Sequence, residues 1–123
     1  MNLTLNVLPE KLAVCKADIH AKEFIASPWW SVTRTADELS IVLPTANARP
    51  EWTISSGWRA LQVQGPLDFS LVGIMANLSH ILAQAAVSIF AISTYDTDYI
   101  LVKEDKLATA VAALQQAGHT VVE

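Results

Sequence analysis

The sequence predicts an α+β fold in which the second half runs strand, helix, strand, strand, helix, strand. Its centre is a β-hairpin, because residues 87–94 and 99–102 are rich in β-branched and aromatic side chains, and residues 95–98 supply two turn-forming aspartates. Apolar residues at helical spacing predict a helix on each side of this hairpin. The order βαββαβ is that of a ferredoxin-like fold, an antiparallel sheet with both helices on one face.

The composition indicates a well-packed chain without a basic surface. Of 123 residues, 52% are hydrophobic and 16% are charged, as in a single globular domain. The formal net charge of -4 leaves no excess of lysine and arginine for phosphates, so neither nucleic acid nor an anionic membrane is an expected partner. Cys15 is the only cysteine, and residues 1–11 lack the pattern of a signal peptide. We therefore expect a cytoplasmic protein.

The interval between Asp68 and Asp96 contains no charged residue and is long enough to span a membrane. Its helical part is amphipathic, however. One side of the helix carries Leu71, Ile74, Met75, Leu78, Leu82 and Ala85, and the other carries Ser70, Gly73, Asn77, His80 and Gln84. This pattern predicts a helix packed on a protein core and followed by a buried strand.

The beginning of the chain is predicted to form a hairpin. Residues 3–8 alternate apolar and polar side chains, and a second apolar run starts at Leu12. A short helix is then expected over residues 17–26, around Phe24 and Ile25. It should end before Pro28, because the residue before a proline is disfavoured in a helix.

Two further strands are expected at residues 29–33 and 39–43, around a turn. Prolines and a Ser-Ser-Gly run make residues 44–57 linker-like. We place the internal boundary there, between a β-rich half of residues 1–57 and a ferredoxin-like half of residues 58–123.

The second half begins with a strand at residues 58–64. Its first helix is expected to start near Asp68 to Ser70, where either side chain could cap the free N–H groups. Asp105 is expected to cap the last helix, whose apolar face consists of Leu107, Ala110, Val111 and Leu114. Gly118 is placed to end this helix before a final strand at residues 119–122.

The two halves share a repeat. Adding 60 to the residue number carries residues 30–33 onto 90–93 and Glu38 onto Asp98, and adding 56 carries Leu5 onto Leu61. The first half is therefore a reduced copy of the second, and we expect it to pack against the other half or against another chain.

Three stretches of the second half resemble the ACT-domain family: GPLDF at residues 65–69, Gly73-Ile74, and STYDTDY at residues 93–99. The chain is most similar to the subfamily of small bacterial proteins and CASTOR-type cytosolic arginine sensors. In that subfamily a shorter first unit matches WSVTRTADELSIV at residues 30–42. The resemblance implies a ferredoxin-like ACT unit preceded by a reduced, β-rich ACT-like unit. It also implies a regulatory module that binds a small ligand, often an amino acid, and that usually dimerises.

The resemblance implies a ligand site at the loop between the first strand and first helix of the second unit. The free N–H groups at the start of a helix suit a carboxylate there, and Asp98 matches an acidic residue that contacts ligand in the arginine sensors. The ligand-binding residues that we predict are Leu67, Asp68, Phe69, Ser70, Tyr95, Thr97 and Asp98. Those sensors carry an acidic residue where this chain has Leu71, so arginine itself is not the expected ligand.

Each of these features also has a purely structural interpretation. The loop can be an ordinary turn capped by Asp68, the aspartates can be a solvated hairpin tip, and Tyr95 is expected to be buried. A metal would need more oxygen ligands than Asp96 and Asp98 supply, and His20, His80 and His119 have no zinc-binding spacing with Cys15.

No catalytic motif is present. We therefore predict no catalytic residue, no metal and no cofactor, and a protein that is not an enzyme. The first hypothesis is a small-ligand sensor that assembles as a homodimer. The second is a ligand-free assembly module that regulates a partner enzyme, since Trp29, Trp30, Trp52 and Trp58 suit an interface. The third is a small hydrolase or transferase built from Ser, His and Asp residues distant in sequence, which would need an acid or base in a pocket that the sequence does not reveal.

Overall fold

A computed structural model of the protein describes residues 1–21, 29, 31–65, 67 and 72–123. The strands in these residues are β1 (Thr4–Val7), β2 (Leu12–Ala17), β3 (Ser31–Arg34), β4 (Leu39–Pro44), β5 (Thr53–Val63), β6 (Phe90–Ser93), β7 (Asp98–Lys103) and β8 (Thr120–Val122), and the helices are α1 (Ile74–Gln84) and α2 (Leu107–Gln116). Two compact units divide the chain. We call Met1–Pro9 together with Arg59–Glu123 the helical unit, and Glu10–Trp58 the strand unit.

The helical unit has a mixed sheet in the order β6-β7-β5-β1-β8. From Arg59 onward its elements follow the predicted order βαββαβ, with β6 and β7 as an antiparallel hairpin. The α+β class and the ferredoxin-like arrangement are therefore confirmed. Across the described parts of the chain, the longest helices fall short of the length and apolar character that a membrane span requires.

Both helices of the helical unit pack on the same face of this sheet. The buried residues of one core cluster come from α1 (Ile74, Leu78, Leu82), from α2 (Ala110, Val111, Leu114) and from the sheet (Leu5, Leu61, Val63, Ile100, Val102). The helical residues are those that the spacing of apolar positions predicts. Each leucine or isoleucine buried in this way contributes about 1.5–3 kcal/mol to stability relative to an exposed position.

Strand β1 does not form the predicted hairpin with β2. It lies instead between β5 and β8: Leu5 is opposite Val63 in an antiparallel pair and opposite Val121 in a parallel pair. Alternation of apolar and polar residues identifies a strand and its buried face, but it does not identify the partner strand. In the simple ferredoxin order the last strand would pair directly with the first, so β1 is an insertion into that order.

The strand unit has the strand order β3-β4-β2-β5, with neighbouring strands antiparallel. One face of this unit buries Ala13, Cys15, Ala17, Leu39, Ile41 and Leu43. The short helix predicted at residues 17–26 is wrong at its start, because Ala17 ends β2 and the Ala21 N–H donates to the Asp18 carbonyl in a turn. Residues 22–26 lie outside the described residues.

Strand β5 begins earlier than predicted, at Thr53 within the segment expected to be a linker. The Ser-Ser-Gly run there is a β-bulge: Leu12 pairs with Trp58 and Val14 with Ser55, so β5 contains one extra residue. Gly57 adopts a positive φ of 81°, a conformation that glycine accepts at such bulges. A bulge and a linker share the same small and polar residues, which explains the error.

The repeat is present, with an offset of 59 residues in place of 60. In the β3–β4 hairpin Arg34 pairs with Leu39, and in the β6–β7 hairpin Ser93 pairs with Asp98. The structural counterpart of Glu38 is thus Thr97. The short 3-10 turns Thr45–Asn47 and Glu104–Lys106 follow the two hairpins at the same offset.

Candidate functional site

A cavity of about 350 Å³ lies in the helical unit, between the tip of the β6–β7 hairpin and the first turn of α1. Its described lining consists of Leu67, Gly73, Ile74, Met75, Ala76, Ser93, Thr94, Tyr95, Asp96, Thr97 and Asp98. The volume is at the lower end of the range for small-molecule sites. Contacts from three sequence segments therefore converge on a space that suits a metabolite.

The hairpin tip is held rigidly by the hydroxyls of two threonines. The Thr94 N–H donates to the Thr97 carbonyl at 2.8 Å, and the Thr94 hydroxyl donates to the same oxygen at 3.0 Å. Thr97 is only 6% exposed, and its hydroxyl donates to the Val63 carbonyl at the end of β5. Thr97 therefore shapes the cavity wall and fixes the tip to the sheet, while its hydroxyl is already occupied.

Gly65 and Leu67, which follow β5, lie directly against this tip. The Leu67 N–H donates to the Asp96 carbonyl at 2.6 Å. A Cβ atom on Gly65 would lie 3.0 Å from the Asp96 carbonyl oxygen and 3.2 Å from Thr97 Cβ, which is closer than side chains normally approach. Glycine at this position allows the loop and the hairpin to form one wall.

Two carboxylates, Asp96 and Asp98, lie on the hairpin side of the cavity. Asp98 is half-buried, and its Oδ1 accepts a hydrogen bond of 2.7 Å from the Ser93 hydroxyl across the hairpin. Asp96 is exposed. The described lining contains no lysine, arginine or histidine, so the charge on this side is negative and suits a ligand ammonium group.

The first turn of α1 forms the opposite wall. Gly73 precedes the helix at a φ of 81°, and Ile74, Met75 and Ala76 follow it along the cavity. Among the described residues, no side chain caps this end of α1, and its first turn contains no acidic residue. The N–H groups of a first helical turn have no partner within the helix and carry partial positive charge. This wall therefore suits a carboxylate.

Four of the predicted ligand-binding residues, Leu67, Tyr95, Thr97 and Asp98, line the cavity. The other three, Asp68, Phe69 and Ser70, lie outside the described residues. The residues expected to cap the start of the helix therefore also lie outside the described residues. Helix α1 begins at Ile74, later than predicted. The expectation that Tyr95 is buried is wrong: its side chain is 80% exposed at the cavity margin.

The sequence did not identify Ser93 of the hairpin, or Met75 and Ala76 of the helix, as part of the cavity lining. The place of Ser93 could have been predicted from the sequence. Ser93 and Asp98 lie symmetrically about a four-residue turn and must therefore pair across the hairpin. The spacing of apolar residues places Met75 on the buried stripe of the helix. Because Met75 is half-buried at the first turn, it belongs both to this stripe and to the cavity lining.

Among the described residues, no cluster of metal ligands and no cysteine lies at this site. Within the ranges that the structure describes, no three His, Cys, Asp or Glu residues are grouped so as to hold a metal ion. Burial raises the pKa of the Cys15 thiol, which lies in the strand unit and stays protonated at neutral pH.

Comparison with known proteins agrees with this architecture. The family model of the ACT domain matches residues 53–116. The cytosolic arginine sensor for mTORC1 subunit 1 of Homo sapiens is 40% identical over 67 residues, a match covering 52% of this chain and 20% of the sensor. The same protein of Bos taurus matches equally. The match thus spans about one fifth of the length of these curated relatives.

Two solved structures share the fold. The crystal structure of protein Atu0741 from Agobacterium tumefaciens superposes with a TM-score of 0.91 at 27% identity, covering 99% of this chain and 93% of that one. The regulatory subunit of aspartate kinase from Thermus thermophilus superposes with a TM-score of 0.64 at 10% identity, covering 92% and 95%. Since the family model covers just over half of the 123 residues, the chain belongs to the ACT domain family.

Proposed function

We propose that this protein is a non-catalytic sensor that binds a free amino acid or a related small carboxylate in the cavity of the helical unit. The observation that supports this proposal most directly is the opposite polarity of the two cavity walls. The first turn of α1, which no side chain among the described residues caps, lies on one side and the carboxylates of Asp96 and Asp98 on the other. An α-amino acid carries one charge of each sign and can satisfy both walls at once.

The detailed arrangement favours a zwitterion over a simple anion. A keto acid or a dicarboxylate would place a second negative or neutral group beside Asp98, whose orientation is already fixed by Ser93. Leu67, Ile74 and Met75 add apolar surface on the cavity lining. We therefore expect an amino acid with an uncharged side chain of modest size. The human and bovine relatives are named arginine sensors, which makes arginine the first compound to compare.

A cytoplasmic protein fits this proposal. The human relative is named a cytosolic sensor, and the single buried Cys15 suits a reducing compartment. Ligand binding would then act on a partner or on the assembly of a homodimer, in keeping with regulatory subunits of the same fold.

The proposal is tested by thermal unfolding of the purified chain with a panel of amino acids and their keto acids. A ligand at about a hundred times its dissociation constant adds about 2.7 kcal/mol to the free energy of unfolding. Asp98→Asn should weaken binding of the active compound by about 10–100-fold, since a hydrogen bond to a charged group contributes about 1.5–3 kcal/mol. Calorimetric titration measures this change.

Asp37→Asn is the matched control, because Asp37 is the counterpart of Asp96 on the hairpin of the strand unit. It should leave binding unchanged. Absence of any shift across the panel contradicts the sensor proposal.

The second candidate is a ligand-free assembly module that regulates a partner enzyme. It is favoured by two large apolar side chains next to the cavity, Val72 and Tyr95, which are 82% and 80% exposed. In that case Tyr95→Ser would change the oligomeric state or partner binding measured by light scattering, while Asp98→Asn would change neither.

A further inference from the structure

The N-terminal strand β1 is held in the helical unit by a histidine at the far end of the chain. The carbonyl of Leu3, the residue before β1, accepts from the Thr120 N–H at 2.9 Å, next to the parallel pairing of β1 with β8. Directly beside this bond, the Leu3 N–H donates to Nδ1 of His119 at 3.0 Å. His119 therefore fixes the point at which β1 enters the sheet.

The same imidazole also contacts helix α1. Its Nε2 lies 2.8 Å from Oδ1 of Asn77, and the ring is only 5% exposed. Because Nδ1 accepts a hydrogen bond from a backbone N–H, it carries no proton, so the proton of the neutral ring is on Nε2 and is donated to Asn77. One side chain thus joins the start of β1, helix α1 and the loop before β8.

Both hydrogen bonds of His119 can form only when its ring is neutral. A second proton would sit on Nδ1 and point at the Leu3 N–H, placing two donors against each other. Burial lowers the pKa of His119, and the nearby ammonium group of Met1 lowers it further. Helix α2 carries no ionisable side chain, and the others on the elements joined here are the exposed His80 of α1 and Glu123 after β8. Neither is a bonding partner of the ring in the described structure.

We propose that His119 is an acid-sensitive latch, in which protonation of the ring breaks its bond to the Leu3 N–H and releases the start of β1 from β8. In the latched state β1 separates β5 from β8. Release exposes the backbone groups of β8 that β1 covers, so the unlatched state offers an open strand edge to another chain.

The direction of the pH dependence follows from the lowered pKa. The unfolded or unlatched chain takes up the proton near the ordinary value of 6.5, and the latched chain only at lower pH. Above about pH 6.5 the latched state therefore has its full stability. This stability falls as the pH drops below that value, and the fall ends below the pKa that His119 has in the latched chain.

The test is hydrogen exchange of the full chain measured by NMR at about pH 7.5 and about pH 5, on either side of the histidine range. Protection factors of the Leu3 and Thr120 amides should fall severalfold at the lower pH, because proton uptake by His119 then favours the unlatched chain. Protection of amides in β7 should stay constant. Equal protection of Leu3 and Thr120 at both pH values would overturn the proposal.

His119→Asn places an uncharged acceptor at the position of Nδ1, so protection of these amides should no longer depend on pH. His80→Asn, on the exposed face of α1, is the matched control and should keep the full pH response. Should His119→Asn fail to fold, the ¹⁵N shifts of the wild-type ring decide: a neutral Nε2–H tautomer near pH 7 supports the latch, and an imidazolium overturns it.

Discussion

At the scale of single residues, the candidate site depends on how closely two backbone segments approach. Gly65 and Leu67 lie against Asp96 and Thr97, and the buried Thr97 hydroxyl holds this contact to β5. Because the hydrogen bond from Leu67 to Asp96 is between main-chain atoms, it leaves little room for adjustment. The hairpin side of the cavity is therefore held by the main chain and by the Thr97 side chain.

Gly65→Ala should destabilise the protein through this contact. The added methyl group would lie 3.0 Å from a backbone oxygen that cannot move without displacing the hairpin tip. Overpacking of this kind costs about 1–3 kcal/mol, and urea denaturation measures the loss. Gly57→Ala is the comparison, because it meets no atom within 4 Å and tests only the cost of a positive φ. Full stability of Gly65→Ala would show that the loop is free to move.

At the scale of elements, helix α1 shows what periodicity can and cannot predict. The spacing of Ile74, Leu78 and Leu82 predicts the buried face, and these residues are buried. It does not locate the first turn, because a helix that starts after a glycine with positive φ has no capping side chain to mark the position. The residues that line the cavity at that turn were therefore missed.

The hairpin repeat has a similar limit. Residue type alone aligns Glu38 with Asp98, but strand pairing sets the offset at 59, so that the counterpart of Asp98 is Leu39. A shift of one residue moves every side chain to the other face of a strand. The Asp98 carboxylate and its partner Ser93 therefore have no equivalent pair on the hairpin of the strand unit. The strand-pairing register was needed to establish this.

Ala76→Asp should separate helix stability from ligand binding. The exposed Ala76 lies in the first turn of α1 at the cavity. A carboxylate there interacts favourably with the helix dipole and should stabilise the protein by about 0.3–1 kcal/mol. It should also repel a ligand carboxylate and weaken amino-acid binding.

Thermal unfolding and calorimetric titration measure these two opposite changes. Ala83→Asp, exposed in the last turn of the same helix, is the control: it should lower stability by a similar amount and leave binding unaffected. Unchanged ligand affinity in Ala76→Asp would mean that the carboxylate does not bind at the helix start.

For the whole molecule, the fold class was predictable because it follows from the order of strands and helices along the chain. Composition and the spacing of apolar residues identify each strand and helix of the helical unit. The place of β1 was not predictable, because pairing of residues distant in the chain leaves no local signal. The helical unit consequently contains a strand, Thr4–Val7, that is separated along the chain from the unit's next segment by the whole strand unit, Glu10–Trp58.

This topology makes a prediction about which part of the chain folds alone. Leu5 of β1 is fully buried in the core of the helical unit, and β1 pairs with both β5 and β8. Arg59–Glu123 by itself lacks this strand and leaves the facing edges of β5 and β8 unpaired. We expect that fragment to unfold without a cooperative transition.

Joining Met1–Pro9 to Arg59–Glu123 through a two-residue turn should restore folding. The Leu8 N–H donates to the Ala60 carbonyl at 2.9 Å in the antiparallel pair, so the two chain ends are adjacent and a two-residue Asn-Gly turn can connect them as a hairpin. Circular dichroism during urea denaturation should show one cooperative transition for the joined chain. Leu5→Asp in that chain should abolish the transition, because it buries an unpaired charge. Cooperative folding of Arg59–Glu123 alone would show that β1 is an addition to the unit and not a part of its core.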